Sequence, residues 1–206
     1  MVREQEKKFA LPGCLIQGFL IPDDQSIVEN YKRRQELLEE LKTLEKKGPA
    51  KKTASNGNCL YHEENRDLFV GTEDYFLAHC ISADFSMSKG IVTEFNRRFG
   101  IGKALKDNYP GYAAAWEDEE KKFDCLQTGR VFNLVTKARY NYRPTYDSVR
   151  GALEMMRECC EKQGIRKLAM PKIASGLDRL QWEKVSGIIQ EVFRDMTIEI
   201  MVCISE

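Results

Sequence analysis

Two short runs of small residues, Ser86-Met87-Ser88-Lys89-Gly90 and Ala174-Ser175-Gly176-Leu177-Asp178, are the parts of this sequence best suited to holding an anion. Small residues let a backbone approach a ligand closely. Where such a run follows a strand and leads into a helix, free N–H groups and the helix dipole favour a phosphate. One such loop is a common turn; two flanking one sheet end point to a phosphate-bearing ligand between them. Asp178 and Lys137 carry the titratable chemistry nearby. On spacing alone Asp178, just before a helix, reads as an N-cap. Lys137, at the end of an apolar run, reads by itself as a solvated side chain. His79 lies inside an apolar strand and reads as a core histidine rather than a ligand. With His62 it completes the histidines, and the cysteines are poorly spaced for zinc, so neither a metal nor a cofactor is expected.

Positioning these residues requires alternating strands and helices. Phe76 to Ile81 is a short apolar run bounded by polar residues and predicts a strand. Ile91, Val92, Phe95 and Phe99 space a helix ending at Gly100. Residues 123–127 and 131–136 flank Gln127-Thr128-Gly129-Arg130 and predict a hairpin. Val149, Ala152, Leu153, Met156 and Cys160 give an amphipathic helix ending at Gly164, and Leu168-Ala169-Met170 suits a central strand covered on both faces. Trp182, Val185, Ile189, Val192 and Phe193 make another helical stripe before a last strand, Ile198 to Ile204. This order implies parallel pairing with right-handed crossovers. The fold class is α/β, a three-layer α/β/α sandwich with a mixed central sheet, and ligands in such folds sit at the C-terminal strand ends.

That domain spans 59–206, and residues 1–58 form an extension. Residues 9–22 are apolar and broken by Gly and Pro, readable as a docked strand-like piece or as a tail. Residues 24–47 predict a helix with a narrow apolar stripe, either lightly packed on the domain or a partner helix. Residues 48–58, GPAKKTASNGN, have linker composition. Lys+Arg and Asp+Glu both number 32 in the 206 residues, which gives no case for nucleic acid or an acidic membrane as a partner. The charged N terminus does not read as a signal peptide, and no apolar run is long enough to span a bilayer. The seven cysteines are odd in number and lack a C-x-x-C pair, which suits reduced thiols in the nucleus or cytoplasm. A small neutral domain is expected to be a monomer.

Several segments then align in order: Asp67-Leu68-Phe69, Leu77-Ala78-His79-Cys80-Ile81-Ser82, Met87 with Gly90-Ile91, Val135-Thr136-Lys137, Pro144-Thr145-Tyr146, and Pro171-Lys172-Ile173 followed by Gly176-Leu177-Asp178-Arg179-Leu180-Gln181-Trp182. Together they resemble the macrodomain glycohydrolases that remove terminal ADP-ribose from proteins, over about Cys59 to Cys203. The resemblance implies ADP-ribose as ligand and ADP-ribosylated proteins as partners. The implied reactions are release of ADP-ribose from acidic side chains and deacylation of O-acyl-ADP-ribose. It implies de-ADP-ribosylation in the nucleus or cytoplasm, in the setting of the DNA damage response. By position, Asp67 matches the carboxylate that accepts the adenine amino group, with Leu68 beside it. Ser82 falls near the distal ribose, Gly90 in the first phosphate loop, and Ser175, Gly176 and Leu177 in the second. Lys137 matches a nucleophile and Asp178 an acid/base. Three departures touch the pocket: Ser88-Lys89 replaces Gly-Ala, Ala174-Ser175 replaces Gly-Cys, and Arg66 replaces a glycine. The alternative to an enzyme is a reader that binds ADP-ribose without turnover.

Overall fold

The computed structural model describes residues 57–204. The extension, with its apolar segment, helix 24–47 and most of its linker, lies outside the described residues. Six strands form one sheet: β1 (Cys59–Asn65), β2 (Phe76–Ser82), β3 (Asp124–Thr128), β4 (Val131–Lys137), β5 (Lys167–Pro171) and β6 (Ile198–Ile204). Five described helices cover it: α1 (Ile91–Phe99), α2 (Ile101–Asn108), α3 (Tyr112–Asp118), α4 (Tyr146–Gln163) and α5 (Trp182–Phe193). The strand order is β1-β6-β5-β2-β4-β3. All pairs are parallel except the β3–β4 hairpin, so the sheet is mixed as expected.

Strand periodicity divides the core into two halves. Ala78, Phe132, Leu134, Leu168, Met170, Ile198, Ile200 and Val202 pack on one face with Val149, Leu153 and Met156 of α4 and Val185, Ile189 and Phe193 of α5. Leu77, Ile81, Val131, Val135, Ala169 and Met201 pack on the other with Phe95 of α1, Leu105 of α2 and Trp116 of α3. This is the three-layer sandwich. Leu168, Ala169 and Met170 are each fully buried, as a strand covered on both faces requires.

The sequence reading misses three elements. β1 is an edge strand whose residues are all partly or fully exposed, so it lacks an apolar run. α2 and α3 are about two turns long and are entered through the N-cap glycines Gly100 and Gly111, without a side-chain cap to mark them. The predicted hairpin is present and shifts by one residue at the start of β3. The strands are not ordered as they follow in the chain: β2 sits between β5 and β4.

Candidate active site

The two small-residue loops face one cavity of about 740 Å³. Its floor is the C-terminal end of the sheet: Ser82 ends β2, Lys137 ends β4, Pro171 ends β5 and Ile204 ends β6. β2 continues into α1 on one face, whereas its neighbours β4 and β5 lead to α4 and α5 on the other. Adjacent strands with connections leaving in opposite directions open a crevice, the usual ligand position in such sheets.

Lys137 is aimed into this crevice by a register irregularity. Ile81 pairs with Val135, but Ser82 pairs with Lys137, so β4 carries one extra residue there. A bulge re-aims the side chains that follow it. Lys137 Nζ donates a hydrogen bond to Asp178 Oδ1 across the cavity wall. The two side chains are only 12% and 15% exposed, which makes the pair unlike a solvated surface ion pair. The capping reading of Asp178 does not hold: α5 begins at Trp182, its N-cap is Gln181, and no side chain caps it. Asp178 instead lies on the loop between β5 and α5.

Both loops pass through positive φ. Gly90 has φ 73° and ψ −160°, a conformation open to glycine, and it is the N-cap of α1. Ala174 has φ 56°, so the departure from glycine at this position places a Cβ in the left-handed region, at about 1–2 kcal/mol. The thiols beside the pair are not activated. Cys80 also lines the cavity, but burial, followed by the charge of Asp178, pushes its thiol up to about 12. Cys203 is raised to about 11 by burial. Both thiols are held protonated near neutral pH and are poor nucleophiles.

Ser82, Gly90, Lys137, Ser175, Gly176, Leu177 and Asp178 therefore line one cavity. Asp67 and Leu68 do not line its wall. They follow β1 at the same sheet end, where Arg66 N donates to Ile204 O at 3.0 Å. Asp67 is exposed and its Oδ1 accepts from Phe69 N at 2.8 Å. Leu68 is buried in the core at 4% exposure. Arg66, in place of a glycine, donates to Val70 O at 2.7 Å and pairs with Glu64 at 3.1 Å, folding this segment on itself.

No protein-family model matches the chain. The ADP-ribose glycohydrolase OARD1 of Bos taurus is 39% identical over 137 residues, covering 66% of this chain and 86% of that protein. The chain belongs to this family of ADP-ribose glycohydrolases. The Homo sapiens OARD1 glycohydrolase is 38% identical over the same shares. Among solved structures, the macrodomain of Thermus aquaticus DarG aligns with a TM-score of 0.55 at 22% identity, over 71% of this chain and 99% of that one. Thermosipho africanus DarTG in complex with ADP-ribose aligns with a TM-score of 0.52 at 17% identity, over 70% of this chain and 41% of that one. These likenesses show the macrodomain fold.

The macrodomain cavity has further walls that sequence reasoning missed. Tyr140, Asn141, Tyr142 and Arg143, between β4 and α4, line its Lys137 side. Tyr140 and Tyr142 are 55% and 52% exposed. Beside Lys89, which the sequence already placed at the pocket, Lys172 and Arg179 add positive charge at the loops. The signal available in the sequence was position: each of these residues lies in a segment that follows a strand of the parallel set.

Proposed function

We propose that this chain removes terminal ADP-ribose from acidic side chains of proteins, with Lys137 as nucleophile and Asp178 as acid/base. The observation that carries the reading is the hydrogen bond between Lys137 Nζ and Asp178 Oδ1 at the wall of the cavity. The diphosphate is held by the loops of Gly90 and Ser175–Leu177, with Lys89 and Lys172 adding attraction. The adenine lies toward Asp67 and the distal ribose toward Lys137 and Ser82.

The chemistry follows from the pair. Asp178 takes a proton from the Lys137 ammonium, leaving a neutral amine and a carboxylic acid. The amine attacks the anomeric carbon of the distal ribose, a C–N bond forms as the C–O bond to the ester breaks, and the ester oxygen leaves as the protein carboxylate; the ring C–O bond of that carbon then breaks, its oxygen takes a proton from the nitrogen, and a lysyl Schiff base results. Asp178 protonates that leaving group. Water then adds to the same carbon, the C–N bond breaks, and the lysine and free ADP-ribose are regenerated. The balance is one ester and one water consumed, one carboxylic acid and one ADP-ribose formed. O-acyl-ADP-ribose with its acyl group on the anomeric oxygen presents the same carboxylate leaving group and is a second substrate.

The test is release of ADP-ribose from a glutamate-linked substrate by wild type, Lys137→Ala and Asp178→Ala, alongside calorimetric binding of free ADP-ribose. Both variants are expected to bind ligand while their release falls to below about a hundredth of wild type. Binding without release by the wild type would establish a reader instead.

A further inference from the structure

We infer that Asp84 is a positioning residue that locks the loop after Lys137 to the first small-residue loop; this rests on the lysine mechanism above. Asp84 lies just beyond β2, at the start of the loop leading to Gly90. One of its carboxylate oxygens, Oδ1, accepts from Ser82 Oγ at 2.5 Å and from Ser86 N at 3.1 Å. Bonding to the amide two residues on is a common local turn device. The other oxygen does something a local turn does not need. Oδ2 accepts from Tyr140 N at 3.1 Å, across 56 residues of sequence.

Backbone contacts continue the same link. Ala83 N donates to Lys137 O at 2.9 Å, and Asp84 N donates to Ala138 O at 3.2 Å. The main chain on both sides of Lys137's exit from β4 is thus tied to the segment that also forms the first anion loop. The tie lies immediately past the bulge that aims Lys137, where the regular ladder has stopped supplying bonds. A nucleophile displaced by about 1 Å loses much of its rate. Asp84 therefore holds the amine of Lys137 in register with a ribose whose diphosphate is held by the loop of Ser86 to Gly90.

The two oxygens allow a separable test. Asparagine has one acceptor oxygen and an NH2 that only donates. In Asp84→Asn the oxygen serves the side with two donors, Ser82 and Ser86, and the NH2 faces the Tyr140 N–H, donor against donor. The local turn survives and the bridge to the Lys137 loop is lost. Asp84→Ser provides a second variant: its hydroxyl reaches Ser86 N but is too short for Tyr140. Turnover of glutamate-linked ADP-ribose, calorimetric affinity for free ADP-ribose and Tm are measured on wild type and both variants. The expected result is kcat lower by about tenfold to a hundredfold, with Kd within about threefold of wild type. Unchanged kcat in an active background overturns the inference and leaves the lysine mechanism standing. A fall in kcat, affinity and Tm together overturns it as well, because a merely structural aspartate would do that. A wild type without turnover overturns the mechanism, and this inference with it.

Discussion

Gly90 shapes the first small-residue loop, and its tolerance for change is correspondingly narrow. Its φ of 73° with ψ −160° is open to glycine at no steric cost, and a Cβ there would stand 3.2 Å from Leu177 Cδ1 of the second loop. Gly90→Ala is expected to destabilise the fold by on the order of 1–3 kcal/mol and to weaken ADP-ribose binding. Denaturant titration with ligand calorimetry checks both. Lys137 and Asp178 show where residue-level reading runs out. Each is chemically ordinary alone, and spacing suggests a solvated lysine and a helix cap. Their meaning comes from a contact across 41 residues, made by a bulge in β4 and a loop that delays α5 until Trp182. Only the family resemblance brought the two together before the fold did.

At the scale of elements, α4 fixes the far end of the loop that begins at Lys137. Thr145 Oγ1 accepts from Ser148 N at 3.0 Å while Ser148 Oγ accepts from Thr145 N at 3.0 Å, a reciprocal capping box. Thr145→Ala is expected to lower stability by about 1 kcal/mol, seen as a lower denaturation midpoint at unchanged slope. Elements with a strong apolar period were legible in the sequence: α1, α4, α5, β2, β4, β5 and β6 lie where the stripes and runs place them. β1 was not, because an edge strand buries too little to need an apolar pattern. α2 and α3 were not, because short helices entered through glycines carry neither a long period nor a polar cap. The insertion of β2 between β5 and β4 was beyond periodicity altogether, since pairing order is set by packing across the whole sheet. That insertion creates the crevice in which Lys137 meets Asp178.

For the molecule as a whole, the buried His79 links stability to pH. It is fully buried, stacks on Phe95 at 4.0 Å and shares a 2.9 Å hydrogen bond between Nε2 and Asn133 Oδ1. Burial pushes it down to about 4, against a partial opposing effect of Asn133. The folded state thus keeps the ring neutral where the unfolded chain, near 6.5, takes up a proton. Its contribution is fully present above about pH 6.5 and is lost as pH falls toward 4, for about 3 kcal/mol in all. Denaturation midpoints at pH 7 and pH 4.5 are expected to differ more in wild type than in His79→Gln. Such a rigid core matters because the site is built on the strand ends it supports, with Ser82 three residues beyond His79 on β2. On the proposed mechanism Lys137 bonds covalently to the distal ribose. The most direct test is incubation with glutamate-linked ADP-ribose and cyanoborohydride, followed by peptide mapping by mass spectrometry. A reduced sugar adduct on Lys137 is expected in the wild type and none in Lys137→Ala. Full turnover with no adduct on Lys137 would contradict it.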